Sequence, residues 1–339
     1  MKALRIIGDQ RVELVTVPKP EVRDGWALVR LTMSAVCGTD LHHYRADPEE
    51  VGDRARKAAG HEAVGVVEEV GRGVEGLAAG TRVVVYQHYG CGRCEYCRIG
   101  EPMFCPHRQT LGNHVDGADA EYLAVPAYIC QPLPEGISDE IGTLISCSFG
   151  TAVSGVRKLG LNAGDTVVVF GLGPVGCCAV VAAGDGVDVV AVDPVPERRQ
   201  LAERLGAAAT VDSTSSDTQA VVRELTSGHG AEASLDSSGN PRALSEALGV
   251  LKPHGRMVVL AATIPWTVDP GKVRRGAHQL IGSWVYGLGE FDAVARLAAK
   301  KADVLEQIVT RRFAGEEGGE AFRVAAGTTE GKVVIDWTR

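Results

Sequence analysis

The densest group of reactive side chains is a set of four cysteines within fifteen positions: Cys91, Cys94, Cys97 and Cys105. Two residues separate each of the first three and seven precede the last, a spacing that brings four thiolates to one tetrahedral zinc ion. A disulfide framework would need an oxidising compartment, and a thioredoxin-like redox pair would leave two thiols over. Because a closed shell of four sulfurs has no position for water or substrate, this zinc is predicted to be structural. The chemistry of the protein then has to lie elsewhere.

Two other segments, CGTDLHHY and GHEAVG, carry further side chains that could take part in catalysis. Their candidate residues are Cys37, Thr39, Asp40, His42, His61 and Glu62. Taken singly, Cys37 is typical of a small buried hydrophobic residue, and His61 of a core histidine with satisfied hydrogen bonds. Residue types alone therefore assign no role to either segment.

A glycine-rich segment, VVVFGLGPVG, is typical of a dinucleotide-binding loop. Gly171, Gly173 and Gly176 follow a predicted strand directly and open a predicted helix, which is the context that this pattern requires. The glycines allow a tight turn and a close approach to a pyrophosphate, whose charge meets the N-terminus of the helix. Pro174 and Val175 belong to the first helical turn, where the N–H that proline lacks has no partner in any case. A tight turn between core elements is the alternative interpretation.

The next predicted strand, VDVVAVD, ends in Asp193, about twenty residues further on. A carboxylate at this position accepts hydrogen bonds from the ribose 2′-hydroxyl and repels a 2′-phosphate, which favours NAD over NADP. Arg198 and Arg199 follow a few residues later and could weaken this preference. On a helix, however, they are more typical of a solvated face.

The composition is that of an acidic globular protein. The 339 residues include 35 Lys and Arg against 43 Asp and Glu, a net charge of −8. This charge argues against a nucleic acid or an anionic membrane as partner. The first segment, MKALRIIGDQ, carries Arg5 and Asp9, so we expect no signal peptide and a reducing, cytoplasmic location. Residues 166–184 carry no charge, but four glycines and a proline favour a strand, turn and helix over a membrane span.

The elements that must position these residues change character near residue 150. Before it, valine-rich segments such as GWALVRLTM, HEAVGVVEEV and TRVVVYQ predict a barrel-like β domain. After it, strands alternate with helices, which predicts βαβ units and a parallel sheet covered on both faces. A closing helix and strand could return to the first domain. We therefore predict an α/β protein with one domain at 1–152 and 289–339, a cysteine lobe at about 88–107, and a second domain at 153–288.

Five motifs occur in one order along the chain: CGTDLH, GHE, the four-cysteine lobe, GLGPVG and AVD. In this order and spacing the chain resembles the zinc-dependent medium-chain dehydrogenase/reductase family, the alcohol dehydrogenase superfamily, over almost its whole length. The resemblance implies a GroES-like β-barrel catalytic domain and a Rossmann doubly wound, parallel-sheet domain. It also implies a catalytic zinc ion, with Cys37 and His61 as ligands, in addition to the structural one.

The third ligand of the catalytic zinc lies, in that family, just before the nucleotide domain. It is a cysteine in classical alcohol dehydrogenases and a carboxylate in the polyol and threonine branch. Cys147 occupies the position here, although the short chain and its start, MKAL, resemble the polyol and threonine branch. Alone, Cys147 could equally be a packed small residue. The resemblance makes Glu62 an adjustable neighbour or a transient ligand.

Further roles implied by the resemblance concern the proton and the cofactor. Thr39 would accept the proton of an alcohol and pass it through the cofactor ribose to His42, since an imidazole can act as a proton shuttle near neutrality. Asp40 would hydrogen-bond the second ring nitrogen of His61 and raise its basicity as a ligand. Thr151 would lie beside the nicotinamide.

The predicted function is hydride transfer between a primary or secondary alcohol and NAD, reversible as a carbonyl reductase. Polyols, sugars, cyclitols and amino alcohols are the candidate substrates. One alternative is a non-catalytic member of the fold that binds NAD and zinc; another is a dismutase or epimerase with retained NAD. The family forms homodimers and homotetramers, often through the edge strand of the nucleotide domain, and the segment QLIGSWVYG is the candidate for this contact.

Overall fold

The computed structural model of the protein describes residues 1–261, 264–327 and 329–339. These residues form two compact units. The first unit comprises Met1–Cys147, Gly287–Ala302 and Val309–Arg339, and the second comprises Ser148–Tyr286 and Asp303–Ile308.

The strands are rich in valine and other β-branched residues, which pack well on a pleated surface. In chain order they are β1 (Lys2–Gly8), β2 (Arg11–Thr16), β3 (Trp26–Ala35), β4 (Glu62–Val70), β5 (Arg82–Val85), β6 (His88–Tyr89), β7 (Gln109–Thr110), β8 (Tyr122–Pro126), β9 (Cys130–Pro132), β10 (Thr166–Phe170), β11 (Asp188–Val192), β12 (Ala209–Val211), β13 (Ala231–Asp236), β14 (Leu251–Val259), β15 (Gln279–Gly282), β16 (Val309–Ala314) and β17 (Lys332–Asp336).

Several of the helices begin with proline in the first turn, where its missing N–H costs nothing. In chain order they are α1 (Gly38–Arg45), α2 (Pro48–Val51), α3 (Glu95–Arg98), α4 (Asp139–Ser146), α5 (Ser148–Leu159), α6 (Pro174–Ala182), α7 (Pro196–Arg204), α8 (Thr218–Leu225), α9 (Pro241–Gly249), α10 (Pro270–Gly276), α11 (Phe291–Lys300), α12 (Ala302–Leu305) and α13 (Gly318–Ala326).

The first unit is built on a seven-stranded sheet in the order β16-β17-β3-β4-β5-β9, with β8 as a further partner of β3. Strand β3 is ten residues long, so one edge pairs with β4 while the other pairs with β8 near its start and β17 near its end. The pairing of β3 with β17 brings the C-terminal segment against the N-terminal part of the chain. It also places the start of β17 near the start of β4.

Helix α4 packs against β4 and ends where that strand begins. Its first turn is capped by Ser138, whose Oγ accepts the backbone N–H of Ile141 at 3.3 Å. Gly142 faces the strand, and a Cβ on it would lie 2.6 Å from Val64 Cγ2. A larger residue would therefore push the helix away from the sheet.

The end of α4 is tied to β4 by a hydrogen bond. The hydroxyl of Ser146 accepts the backbone N–H of Ala63 at 3.3 Å, and both residues are buried. Cys147 follows directly after the last residue of α4. The bond thus holds Cys147 close to the two residues, His61 and Glu62, at the start of β4.

The second unit is a six-stranded sheet in the order β12-β11-β10-β13-β14-β15, in which every pair is parallel. In order of appearance this is 3-2-1-4-5-6, the order of a doubly wound dinucleotide-binding fold. A buried core lies along these strands and includes Val168, Phe170, Val190, Leu244 and Met257. The predicted α/β fold class is confirmed.

The uncharged residues 166–184 contain β10, the glycine turn and α6. The predicted strand, turn and helix are therefore confirmed for this stretch. In the described ranges, no helix is both long enough and apolar enough to cross a membrane.

Candidate metal and cofactor sites

The first unit contains a buried cluster of four potential metal ligands, Cys37, His61, Glu62 and Cys147. Their ligand atoms all lie within 4.8 Å of one another. Cys37 directly precedes α1, His61 and Glu62 stand at the start of β4, and Cys147 follows α4. Three elements that are distant in sequence therefore converge on one point.

The two thiols of the cluster are hydrogen-bonded to each other, and their pKa values are shifted in opposite directions. A hydrogen bond from Cys147, aided by His61 and Lys332, holds the pKa of the Cys37 thiol well below its usual range, although burial opposes this. The same hydrogen bond, together with burial, raises the pKa of the Cys147 thiol well above its usual range. Of the two thiols, Cys37 therefore has the lower pKa and ionises more readily. Both thiols must be deprotonated to serve as sulfur ligands of a metal ion.

The imidazole of His61 is oriented by a carboxylate behind it. Its Nδ1 lies 3.4 Å from Asp40 Oδ1, and both side chains are buried. Burial lowers the pKa of His61, but Asp40 and Cys37 more than compensate, so the pKa lies well above its ordinary value. The other carboxylate oxygen of Asp40 accepts the backbone N–H of Cys37 at 2.9 Å. One aspartate thus positions two members of the cluster.

The fourth member, Glu62, is paired with Lys332, a residue that lies outside the five sequence motifs. Lys332 Nζ lies 2.6 Å from Glu62 Oε2 and also donates to the carbonyl oxygen of Val36 at 3.2 Å. Burial raises the pKa of Glu62 to about 7, and Lys332 works against this rise. Burial also disfavours the charged lysine, but Glu62 more than compensates and raises its pKa. The only signal in the sequence was a lysine at the start of the otherwise apolar strand segment KVVI.

These residues fit a zinc ion. Zinc prefers sulfur and nitrogen ligands, and two cysteines with one histidine leave the fourth position of a tetrahedral site open for a reactant. The Glu62 carboxylate is already engaged in the ion pair with Lys332. The principal metal donors of the cluster are therefore two sulfurs and one nitrogen. The Asp40–His61 contact is the outer contact that a zinc-bound imidazole usually makes.

The two candidates for proton transfer lie on α1, directly after Cys37. Thr39 and His42 are both exposed, and His42 Nε2 lies 3.8 Å from Glu50 Oε1. An exposed imidazole can exchange protons with water, whereas the buried His61 cannot do so directly. Thr151 lies in α5 of the second unit and is buried.

A second cluster in the first unit is formed by Cys91, Cys94, Cys97 and Cys105, whose sulfur atoms all lie within 4.8 Å of one another. All nine cysteines of the chain are described, and all are free thiols. The Sγ of Cys105 accepts the backbone N–H of Cys91 and that of His107, each at 3.3 Å. Such N–H donors stabilise thiolates, and backbone donors lower the pKa of Cys91 to about 6.

The backbone near the cysteine cluster is shaped by Gly90. A Cβ on this glycine would lie 2.6 Å from Cys97 Sγ and 2.9 Å from Cys105 Sγ. Any larger residue would displace two of the four sulfurs. Four thiols arranged in this way fit a zinc ion with a complete sulfur shell, which has a structural role.

The glycine loop of the second unit has the geometry of a phosphate-binding turn. Gly171 has a φ of +82°, which favours glycine, and Gly173 is the N-cap of α6. A Cβ on Gly176 would lie 1.8 Å from the carbonyl oxygen of Gly171, so only glycine allows the turn to pass this close to the helix. Pro174 and Val175 form the first turn and are half-buried. The loop leaves the backbone N–H groups at the start of α6 available for an anion.

Asp193 follows β11 and is buried. Its Oδ2 accepts the backbone N–H of Leu172 at 2.7 Å, and its Oδ1 accepts that of Val195 at 2.8 Å. Arg198 Nη1 lies 3.8 Å from Oδ2. The carboxylate is thus fixed beside the glycine loop, and each oxygen keeps a lone pair for a further donor.

Comparison with known proteins finds a matching family model in each of the two units. Residues 23–135 match the model of the alcohol dehydrogenase GroES-like domain, and residues 174–300 match that of the zinc-binding dehydrogenases. The L-threonine 3-dehydrogenase of Chromobacterium violaceum is 32% identical over 99% of this chain and 100% of its own length.

Two solved structures are similar to this chain over almost its whole length. An alcohol dehydrogenase from Thermus sp. ATN1 has a TM-score of 0.92, with 29% identity over 99% of both chains. An alcohol dehydrogenase from Escherichia coli CFT073, solved with NADH, has a TM-score of 0.89 and 25% identity, again over 99% of both chains. The chain therefore belongs to the zinc-dependent medium-chain dehydrogenase/reductase family, and it is an oxidoreductase of the alcohol dehydrogenase type.

Proposed function

We propose that this protein is a zinc- and NAD-dependent dehydrogenase that oxidises a primary or secondary alcohol and works in reverse as a carbonyl reductase. The observation that carries the proposal is the buried set of Cys37, His61 and Cys147, with Asp40 behind the imidazole and Lys332 on Glu62. A protein that only bound metal and cofactor would not need a metal position that is open to a reactant.

Different residues of the first unit have different roles in the proposed reaction. When bound, a zinc ion would supply Lewis acidity that stabilises the negative charge developing on the alcohol oxygen, and the nicotinamide would take up the hydride. Asp40 holds the ring of His61 in its orientation, and Lys332 holds the carboxylate of Glu62 by an ion pair. Thr39 receives the hydroxyl proton, and the exposed imidazole of His42 passes it to solvent.

We propose NAD as the cofactor of the second unit. Gly171, Gly173 and Gly176 would surround the pyrophosphate, and Asp193 would accept the hydroxyls of the adenosine ribose. The negative charge of Asp193 disfavours the 2′-phosphate of NADP. Arg198 is held near that carboxylate, and Thr151 is proposed to contact the nicotinamide.

Replacing Asp193 with glycine should lower the preference for NAD over NADP by about tenfold or more, because a charged acceptor for the ribose is lost. The change would also release the guanidinium of Arg198, which then becomes available to a 2′-phosphate. The ratio of kcat/KM for the two cofactors measures this. Asp212→Gly is the matched control, since it removes a carboxylate that pairs with Arg199 after the neighbouring strand. An unchanged ratio in Asp193→Gly would count against the ribose role.

We also propose two zinc ions per chain, one catalytic and one structural. Replacing Cys94 with serine should remove one zinc and lower the Tm by about 5 °C or more, because the folded lobe draws stability from the bound metal. Metal analysis and thermal unfolding measure the two effects, and the kcat of the protein that remains folded should change little. Full zinc content with unchanged stability, or loss of activity alone, would reverse the roles that we assign to the two clusters.

The substrate is an alcohol, and two observations point to different classes of alcohol. The threonine dehydrogenase relatives favour an amino alcohol, whereas the cysteine at position 147 is typical of simple alcohol dehydrogenases. The zinc-loaded protein should be tested with simple alcohols, polyols, sugars, cyclitols and amino alcohols, including L-threonine, while NADH absorbance is followed. Turnover of any one class supports the proposal. No turnover in either direction, with NAD retained through purification, would favour a dismutase or epimerase instead.

We propose that the protein assembles as a homodimer or homotetramer through strand β15. This strand lies at the edge of the second unit's sheet, and Leu280 and Trp284 on this segment are exposed. An exposed apolar edge strand that is not covered by a specific partner tends to pair with strands of other chains and cause aggregation. Light scattering on the purified protein distinguishes a dimer or tetramer from a monomer.

A further inference from the structure

The first unit contains a cleft of about 730 Å³ that includes none of the residues of the two metal clusters. The start of β1, the connection from β2 to β3, and the start of β8 form its walls. Its volume lies within the range of pockets that enclose small organic ligands. The established family and the proposed function leave this cleft without a role.

The charge of the cleft is opposite to that of the chain. Its cationic side chains are Arg5, Arg23, Arg56 and Lys57, and its carboxylates are Glu21 and Asp116. The carboxylate of Asp116 already accepts the backbone N–H of Ala58 at 3.0 Å. In a protein with a net charge of −8, such a local excess of cations is a feature that attracts anions.

Arg5 is the cation whose environment points most directly to a missing partner. Its Nε is buried, and no described residue provides it with a hydrogen bond. Glu13 lies opposite Arg5 in the β1–β2 register, but no ion pair joins the two side chains within the described part of the chain. A buried guanidinium nitrogen without an acceptor is uncommon, because the desolvated donor is not compensated.

Aromatic rings lie next to these cations. Trp26 and Tyr89 form an edge-to-face pair with ring centroids 5.8 Å apart. The guanidinium of Arg23 lies 5.0 Å from the centre of the Trp26 ring. Guanidinium groups bind phosphates through paired hydrogen bonds, and aromatic side chains contact planar rings, so the cleft combines both elements of nucleotide recognition.

We propose that this cleft binds a small anion that carries a planar ring, with the size and chemistry of a nucleoside monophosphate, at a site separate from the dinucleotide loop. Arg5 binds the anionic group through its guanidinium, Arg23 and Lys57 add charge, and Trp26 and Tyr89 contact the ring. The site lies entirely within the first unit, whereas the glycine loop belongs to the second.

The test is calorimetric titration of the zinc-loaded full chain with adenosine 5′-monophosphate, before and after saturation with NADH. NADH occupies the dinucleotide loop, so binding that survives saturation belongs to another site. Arg5→Met should weaken this binding by about tenfold or more, since a charge-assisted hydrogen bond is lost. Arg23→Met should weaken it as well. Arg11→Met is the matched control, because Arg11 is an exposed arginine of the same hairpin outside the cleft.

Three results would overturn the proposal. The first is binding that disappears when NADH is present. The second is equal weakening in Arg5→Met and Arg11→Met, which would indicate a general effect of charge. The third is that adenosine or inorganic phosphate alone binds as tightly as the nucleotide, since the proposal requires both the ring and the anion. Circular dichroism of each variant shows whether the fold is retained.

Discussion

Replacing Cys37 with serine is expected to lower kcat/KM by about a thousandfold or more while the protein stays folded. Cys37 has the lower pKa of the two cluster thiols, so its loss removes the sulfur that ionises more readily for metal binding. A Lewis acid contributes several kcal/mol to stabilising charge in the transition state, and each 1.4 kcal/mol corresponds to about tenfold in rate. The measurement is steady-state kinetics with the best substrate of the panel, together with zinc content.

The control for Cys37→Ser is Cys130→Ser. Cys130 is also buried, but it lies in β9 and belongs to neither metal cluster. This variant should keep its activity and both zinc ions, and any loss of stability from burying a hydroxyl should be similar in the two proteins. Cys37→Ser should retain the single zinc of the cysteine lobe. Activity close to that of the unchanged protein, or two zinc ions in Cys37→Ser, would contradict the proposed catalytic site.

Replacing Lys332 with methionine is expected to lower the free energy of unfolding by about 3–5 kcal/mol, which is typical when one partner of a buried ion pair is removed. Lys332 and Glu62 are both completely buried and 2.6 Å apart, so methionine would leave the Glu62 carboxylate without its ion-pair partner and shielded from water. Urea unfolding of the zinc-loaded protein measures the loss. The Lys332→Met/Glu62→Gln double variant should recover most of it, because the carboxylate that lost its partner is then removed as well.

The effect of Lys332→Met should depend on pH in a defined direction. Burial raises the pKa of Glu62 to about 7 even with Lys332 present, and removing Lys332 should raise that pKa further. A carboxyl whose pKa is higher in the folded than in the unfolded state destabilises the fold as it ionises, so the deficit should grow with rising pH. The deficit in unfolding free energy should be larger at about pH 8 than at about pH 5.5.

Lys2→Met, which breaks the exposed ion pair with Glu316, is the control and should show little change in unfolding free energy at either pH. An equal deficit at both pH values would argue against an unpaired Glu62 as its cause.

The features that could be predicted from the sequence are those in which neighbours along the chain also meet in space. The four cysteines lie within fifteen positions, so their spacing alone limits them to a common centre, and the structure places their sulfurs within 4.8 Å of one another. The three glycines of the dinucleotide loop likewise act within a single turn. The fold class followed from periodicity, since buried valine runs alternating with helices can be satisfied only by a covered parallel sheet.

The resemblance to a known family supplied what local spacing could not. Cys37, His61 and Cys147 are separated by long stretches of chain, and each taken singly has an ordinary structural interpretation. The pairing of β3 with β4 and the packing of α4 on β4 bring them together. Which of the two thiols has the lower pKa depends on their hydrogen bond, on burial and on neighbouring charges, and these exist only in the folded structure.

The sequence by itself determined the fold class, the family, the cysteine lobe and the glycine loop, because these depend on local spacing and on periodicity. Only the tertiary structure decided that Lys332 neutralises Glu62 across 270 residues of sequence, that Asp40 contacts both Cys37 and His61, and that Arg5 faces a cleft. The physical reason is that the energy of a charge depends on its burial and its partners. Burial and charge partners are properties of the folded chain, and they cannot be read directly from the order of the residues.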